Sequence, residues 1–157
     1  MSAVNVGSEM EQRLHDRIAQ ISREVPGSIG DILKFSLVNC QTETGDFELS
    51  CWTEPWMRNF AGTLHGGLCA TILDQAMGFV SYCLKDGKGA APTVQLEVDF
   101  LRPLSPGEEV LVKVHVVSET KTLMNLTAEA VLASHPDKIC LSGSGIYYFK
   151  PAAKVEE

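Results

Sequence analysis

The sequence has few basic residues and lacks the patterns that direct a chain to a membrane or to secretion. Its 13 Lys and Arg against 20 Asp and Glu give a net charge of −7, which argues against a broad phosphate-binding surface and against nucleic acid as a partner. The N-terminus has neither the basic start nor the apolar core of a secretion signal. No apolar run spans a bilayer without interruption by polar residues or glycine. We therefore expect a cytoplasmic protein with no membrane partner.

The five cysteines form no C-x-x-C pair, and their number is odd. Most have apolar neighbours, which is typical of buried reduced thiols rather than of disulfides or a redox site. His65 and Cys69 have the i, i+4 spacing of two metal ligands on a helix, but no third ligand accompanies them. We expect no metal site and no nucleophilic role for Cys69, which nothing in its context activates.

The chain has the size and composition of one domain with a single core, at 157 residues of which 45% are apolar. Apolar residues at helical spacing predict an amphipathic helix over 9–25, which Pro-Gly ends. A hairpin follows, in which "ILKFSLVNC" and "DFELSCW" flank a Gly45-Asp46 turn. At the other end we expect a polar tail over 150–157.

The longest apolar stretch runs from Gly66 to about Leu84 and is hydrophobic nearly all round. It predicts a long helix that is covered on nearly all sides. Four strand-like runs follow, "TVQLEVDFL", "EEVLVKVHVVSE", "TLMNLTAEAVLA" and "KICLSGSGIYYF", and their short links predict that consecutive strands are antiparallel neighbours. The expected fold class is α+β: a curved antiparallel sheet of five or six strands wrapped round the long helix, with this core over 34–149.

One carboxylate, Asp74, lies in the middle of this apolar helix. Helical spacing places it in a narrow polar stripe with Thr71, Gln75, Gly78, Tyr82 and Lys85. A buried carboxylate without partners is costly, so we expect polar groups around it. The stripe by itself fits a solvent-facing strip or a hydrogen-bond hub as well as a catalytic group.

The helix begins at the glycine pair of "GTLHGG". Gly66 and Gly67 leave the first N–H groups of the helix open to an anionic oxygen, and a donor of this kind stabilises an oxyanion by about 3 to 4 kcal/mol. Asp74 lies roughly 12 Å further along the helix axis, which is too far for both groups to act on one carbon atom. An acyl-transfer site that used both would therefore lie between two subunits of a two-fold dimer.

The stretch "NFAGTLHGGLCATILDQAMG" and the later "TVQLEVDFLRPLSPGEEV" resemble the hotdog-fold acyl-CoA thioesterases of the phenylacetate-pathway (PaaI-like) type. The match runs from about Phe35 to Phe149. An Asn, an H-G-G, an Asp after the His and an F-L-R-P strand end are far more specific together than any one piece. The resemblance implies a hotdog fold and a homodimer whose sheets join edge to edge, with pairs often packed into a homotetramer.

The resemblance also implies roles for individual residues. Asp74 corresponds to the catalytic carboxylate, which acts as the nucleophile or as the base that activates water. Gly66 supplies an oxyanion donor through its backbone N–H, while Asn59 and His65 help to hold the thioester and the water. Thr93 carries the hydroxyl that lines the site opposite Asp74.

Other residues are candidates for substrate binding. Gly67, Gln75 and Arg102 are the first of these, and coenzyme A enters only as part of the substrate, with no separate cofactor. Further cations that would offset its phosphates are Arg58, Lys85 and Lys88. Candidates for the acyl pocket, which are equally typical of a core, are Trp52, Trp56, Met57, Phe60 and Tyr82.

Together these features predict an enzyme that hydrolyses small aromatic or short- to medium-chain acyl-CoA. Two alternatives stay open: a non-catalytic acyl-CoA binding or regulatory hotdog protein, and a hotdog enoyl-CoA hydratase or dehydratase. A hydratase or dehydratase needs a His and acid pair with a different spacing, so the H-G-G followed by Asp74 favours hydrolysis. The sequence does not fix the acyl group, nor whether the carrier is coenzyme A or an acyl carrier protein.

Overall fold

The computed structural model describes residues 6–85 and 87–150 of the chain. It contains three helices, six strands and one 3-10 turn. In chain order these are α1 (Val6–Glu24), α2 (Ile29–Ile32), β1 (Ser36–Gln41), β2 (Asp46–Trp52), the 3-10 turn (Pro55–Met57), α3 (Gly66–Leu84), β3 (Thr93–Phe100), β4 (Glu109–Glu119), β5 (Leu123–Leu132) and β6 (Ile139–Tyr148). The α+β prediction is confirmed with six strands, whereas α2 and the 3-10 turn were not predicted. Residues 151–157 of the expected tail lie outside the described residues.

Helix α1 begins three residues before the predicted 9–25 and ends at Glu24. Pro26 follows this end, and Gly27 has a positive φ of 77°, so the chain turns away as Pro-Gly steps do. Met10 and Leu14 are buried because the apolar face of α1 packs on α3 and β1. The N-terminal helix therefore covers one side of the central helix.

The six strands form one antiparallel sheet in the order β1-β2-β4-β5-β6-β3. The expectation that consecutive strands are neighbours is wrong for β3 and β4. Residues 101–108 between them cross the end of the sheet, and this link buries Leu104, whose carbonyl accepts from the Leu64 N–H at 2.9 Å. Eight extended residues reach about 26 Å, well beyond the width of the two intervening strands. As a result β3 is an edge strand, paired only with β6 on its inner side.

Helix α3 is the central element, and it contacts α1 and strands β2 to β6. At 19 residues and a mean hydropathy of 1.3 it is long and apolar enough to cross a membrane by length and composition alone. The expectation that polar residues and glycine interrupt every run of that length is therefore wrong for this helix. Packing within the curved sheet accounts for this apolar character. The predicted polar stripe is the half-buried face of the helix: Thr71, Asp74, Gln75, Gly78, Tyr82 and Lys85.

Two glycines on the inner face of β6 let the helix and the sheet approach closely. A Cβ atom on Gly143 would lie 2.6 Å from the Glu97 carbonyl oxygen, and one on Gly145 would lie 2.7 Å from a ring carbon of Tyr147. Real Cβ atoms do not approach so near, so larger residues would force β6 outward. The missing side chain of Gly145 makes room for the Tyr147 ring, which points inward toward α3.

Candidate active site

The Asp74 carboxylate accepts two hydroxyl hydrogen bonds on the same oxygen. Thr93 Oγ1, at the start of β3, donates to Asp74 Oδ1 at 2.7 Å, and the Tyr147 phenol donates to that atom at 2.9 Å. Oδ2 accepts no hydrogen bond from the described part of the chain, and Asp74 is only half-buried. The polar surroundings expected of a carboxylate in this helix are therefore present, and one oxygen stays free for chemistry.

Sequence reasoning missed Tyr147. The sequence did contain a signal for it on the inward face of β6, where Gly143, Gly145 and Tyr147 alternate with Ser144 and Ile146. Two glycines before an aromatic residue on the same strand face indicate that the ring packs over backbone that has no side chains. Burial, reinforced by the charge of Asp74, raises the pKa of the Tyr147 phenol well above its usual range. The phenol therefore keeps its proton and serves as a donor to Asp74.

Asp74 lies in a cleft of about 320 Å³ between α3 and the segment that leads into β3. Gln75, one of the predicted binding residues, lines it together with Thr93 and Tyr82. The remaining lining residues are Arg17, Gly78, Phe79, Gly89, Ala90, Ala91, Pro92 and Tyr147. The cleft thus presents a carboxylate, two hydroxyls and a largely apolar wall.

The start of α3 lies elsewhere. His65 is the N-cap residue, and its Nδ1 accepts from the Gly67 N–H at 3.2 Å. The expectation that both glycine N–H groups are open is therefore wrong for Gly67, since the cap satisfies it. The Gly66 N–H has no acceptor among residues 6–85 and 87–150, and a Cβ there would make only ordinary contact, 3.6 Å from the Phe100 ring. One donor remains for an anionic oxygen.

Gly66 lines a second cleft, of about 260 Å³, together with Asn59, Phe100 and Arg102. The Asn59 side chain is engaged with Thr63: its Nδ2 donates to Oγ1 at 2.9 Å, and its Oδ1 accepts from the backbone N–H at 3.2 Å. Arg102 donates to the Ile139 carbonyl at 2.6 Å and is exposed. Asn59 therefore shapes the loop before α3, while Arg102 places a cation at the rim of this second cleft.

The two clefts share no lining residue. Thr93 begins β3 and Phe100 ends it, so the clefts lie toward opposite ends of this eight-residue strand, and Asp74 and Gly66, which line them, are roughly 12 Å apart along α3. Within one chain the structure brings Asp74, Gln75 and Thr93 together, and separately Asn59, His65, Gly66, Gly67 and Arg102. It does not bring the carboxylate and the oxyanion donor to one place.

Most of the further candidate cations and pocket residues lie outside the two clefts or have partners of their own. Lys85 is bound to Glu119 and to the Thr120 carbonyl, with only 15% of its side chain exposed, so it is not a free cation at a cleft mouth. Among the proposed pocket aromatics only Tyr82 lines the Asp74 cleft. Met57 belongs to the core, while Trp52, Trp56 and Phe60 are exposed.

Cysteine and metal chemistry find no support here. All five cysteines are free thiols, and burial raises the pKa of Cys69 to about 11, which keeps it protonated and unreactive at neutral pH. No group of three or more His, Cys, Asp and Glu side chains in the described ranges could hold a metal ion.

A larger hollow, of about 680 Å³, lies on the outer face of the sheet. Its floor is a cross-strand row in which Lys113 stands opposite Glu48 on β2 and Glu129 on β5. Charges of opposite sign in this register stabilise a solvated sheet face. The smaller Asp74 cleft is the better candidate site because its carboxylate has two directed donors and an apolar wall beside it.

The chain is similar to known proteins in sequence and in fold. Residues 61–137 match the family model described as the thioesterase superfamily. The chain is 30% identical over 116 residues to acyl-coenzyme A thioesterase 13 of Mus musculus, which covers 74% of this chain and 80% of that protein.

Two solved structures share the fold. The E. coli PaaI protein from the phenylacetic acid degradation operon has a TM-score of 0.73 and 16% identity, with 91% of this chain and 98% of that one covered. A Streptococcus mutans protein bound to acetyl CoA has a TM-score of 0.64 and 19% identity, with 76% and 91% covered. The six-stranded sheet around α3 is the hotdog fold, and the chain belongs to the thioesterase superfamily as a thioester hydrolase.

Proposed function

We propose that this protein hydrolyses acyl-CoA thioesters of small aromatic or short- to medium-chain acids, with Asp74 as the reacting carboxylate. The observation that carries the proposal is the pair of hydrogen bonds that fixes Oδ1 of a carboxylate lining the cleft and leaves Oδ2 without a donor in the described chain. The mouse relative is named as an acyl-coenzyme A thioesterase, and the Streptococcus mutans protein was solved with acetyl CoA. Both support coenzyme A as the thiol half of the substrate.

In the base mechanism, Oδ2 of Asp74 removes a proton from a water molecule while the water oxygen attacks the thioester carbonyl carbon. The carbonyl oxygen becomes an oxyanion, which then re-forms the carbonyl as the carbon–sulfur bond breaks. The proton on Asp74 passes to the leaving thiolate. In the nucleophile mechanism, Oδ2 attacks the carbon directly and the carbon–sulfur bond breaks, which releases the coenzyme A thiolate and leaves a mixed anhydride with Asp74. Water then hydrolyses the anhydride to the free acid and the Asp74 carboxylate, and a proton from this water passes to the thiolate. Both mechanisms release a free acid and coenzyme A, and neither uses a metal or a separate cofactor.

The oxyanion donor in this proposal is Gly66 of a second subunit. Strand β3 is an edge strand with large apolar side chains exposed on or beside it: Val94 at 61%, Phe100 at 58% and Leu101 at 54%. If two copies of β3 pair antiparallel across a two-fold axis, the Thr93 end of one strand meets the Phe100 end of the other. That arrangement puts Asp74 beside Gly66, Asn59 and His65 of the second subunit, and it creates two sites per homodimer. A tetramer of two such dimers is compatible with it.

A panel of acyl-CoA substrates, read by release of free thiol, tests this function. Wild type should turn over at least one aromatic, short-chain or medium-chain substrate, while Asp74→Asn should lose about 10²- to 10⁴-fold in kcat, the range for a general base. Asp137→Asn is the matched control, because Asp137 is an exposed carboxylate in the turn between β5 and β6. Full activity in Asp74→Asn would exclude Asp74 as the reacting group. No turnover of any substrate would favour the non-catalytic binding protein.

A further inference from the structure

Arg17 of α1 stands at the wall of the Asp74 cleft as a half-buried cation. Its guanidinium carbon lies 4.2 Å from the centroid of the Tyr82 ring, and its Nη1 donates to Gln20 Oε1 at 2.9 Å. These contacts hold the guanidinium in one place through a cation–π contact and a hydrogen bond.

Arg17 differs from the other arginines of α1 in its lack of an acidic partner. Arg13 pairs with Glu9, and Arg23 pairs with Glu24. Arg17 makes no ion pair within residues 6–85 and 87–150. A half-buried guanidinium is stabilised by a bidentate anion and is costly without one. The position is therefore suited to an anionic group that arrives with a ligand.

The path from Asp74 to this cation passes the Gln75 amide and then small and apolar residues. Tyr82, which carries Arg17 over its ring, lies eight residues after Asp74 on α3, roughly 12 Å along the axis. Gly78, Phe79, Ala90, Ala91 and Pro92 form the wall in between. The cleft thus has a reacting carboxylate at one end, a corridor suited to methylene groups, and a cation at the far end.

We infer that the favoured acyl group ends in its own carboxylate, which Arg17 binds while Asp74 acts on the thioester at the other end of the chain. This inference rests on the proposed function and names its substrate class: thioesters of dicarboxylic acids. After about 3 Å of contact distance at each end, about 6 Å of the corridor remains, which accommodates an extended chain of about six carbons.

The phosphates of coenzyme A are the other source of an anion, and the corridor fits them less well. The pantetheine arm between the thioester sulfur and the phosphates carries two amide groups and is longer than this corridor. In the two-subunit site, the rim that bears Arg102 is the better exit for the coenzyme A half.

Paired substrates that differ only in the terminal group test the inference. We expect wild type to have a kcat/KM for adipyl-CoA about 10- to 100-fold above that for hexanoyl-CoA, the range of a charge-assisted pair. Arg17→Gln should lose this preference because KM rises for the dicarboxylic substrate, whereas the kinetics of the monocarboxylic one stay unchanged. Arg17→Lys should keep part of the preference. Arg23→Gln, an exposed arginine of the same helix, should behave as wild type.

The same acyl groups on N-acetylcysteamine, which has no phosphate, separate the two sources of the anion. The preference should persist with these substrates if Arg17 binds the acyl carboxylate. An equal loss for all coenzyme A esters in Arg17→Gln, with no preference in wild type, would overturn the inference and assign Arg17 to the phosphates.

Binding to the inactive Asp74→Asn protein makes the test independent of turnover. Calorimetry should show tighter binding of adipyl-CoA than of hexanoyl-CoA, and the double variant Asp74→Asn/Arg17→Gln should lose the difference. If wild type hydrolyses nothing but this binding difference is present, the proposed function fails, while the assignment of Arg17 to the acyl carboxylate stands. Equal binding of the two thioesters contradicts the inference whatever the activity.

Discussion

Tyr147 and Asp74 are joined through a single phenol hydroxyl, which lies 2.9 Å from Oδ1 and 3.1 Å from the backbone carbonyl oxygen of Asp74. One residue belongs to β6 and the other to α3, 73 positions apart in the chain. The contact therefore ties the central helix to the sheet at the point where the reacting carboxylate must be oriented.

Replacing Tyr147 with Phe should lower kcat by about 10- to 100-fold with little change in KM. The variant keeps the ring that fills the space beside Gly145 and loses only the hydroxyl that orients Asp74. A hydrogen bond to a charged group contributes about 1.5 to 3 kcal/mol, which corresponds to that range of rates. Steady-state kinetics of thiol release would measure the split between kcat and KM.

Tyr148→Phe is the matched control for this variant, because Tyr148 is the next residue of β6 and is exposed. It should leave both kinetic parameters unchanged. Equal losses in the two variants would mean that the phenol of Tyr147 does not act through Asp74.

Mixing two inactive variants should restore activity if the site is shared between subunits. Asp74→Ala removes the carboxylate and Gly66→Val blocks the oxyanion donor, so a mixed dimer retains one complete site of two. After unfolding and refolding together in equal amounts, the mixture should reach about a quarter of wild-type activity, since half of the dimers are mixed. Each variant refolded alone is the control. Subunit exchange shown by mass spectrometry without recovered activity would rule out the two-subunit site.

Gly145→Ala should destabilise the fold by about 1 to 3 kcal/mol and lower activity. Its Cβ would lie 2.7 Å from the Tyr147 ring and 3.1 Å from the Met77 methyl carbon, so either β6 or the ring must move, as in other overpacked cores. Gly78→Ala is the comparison, because its Cβ would meet the same ring at an ordinary 3.8 Å. Urea unfolding would give both free energies, and equal values would contradict the account of β6.

Stability should decline in alkali because several thiols are buried. Burial raises the pKa of Cys51 and of Cys83 to about 12, and that of Cys69 to about 11, whereas unfolded thiols titrate near 8.5. The buried protonated thiols make their full contribution to the free energy of unfolding below pH about 8.5. At higher pH the unfolded chain releases protons that the folded chain keeps, so the free energy of unfolding falls as pH rises toward 11 to 12.

Urea unfolding at about pH 8 and pH 10.5 would measure this slope. Cys51→Ala should show a shallower decline than wild type. Val112→Ala, on the neighbouring strand β4, leaves a cavity without removing a thiol, so it should lower the whole curve and keep the slope. Parallel curves for all three proteins would show that Cys51 ionises alike in both states.

Periodicity in the sequence was sufficient for the two long helices and the six strands, and it missed the short α2 and the 3-10 turn. The apolar stretch predicted α3 from Gly66 to Leu84, and the run "EEVLVKVHVVSE" predicted β4. Such patterns predict an element correctly because its apolar side chains must be buried in the core, whichever neighbouring element covers them. The order of the strands does not follow from them, since a link such as 101–108 serves a hairpin or a crossing equally well.

The sequence by itself determined that Asp74 lies in the middle of a buried helix. It also determined that the glycine N–H at the start of that helix is too far from Asp74 for both groups to act on one atom within the same chain. Those conclusions depend only on residue type and helical rise. Tertiary structure alone decided that Tyr147 and Thr93 both donate to Asp74, that His65 satisfies the Gly67 N–H, and that Arg17 lines the same cleft as Asp74. These contacts join residues from different elements, and their distances depend on how helix and sheet pack, which no local pattern records.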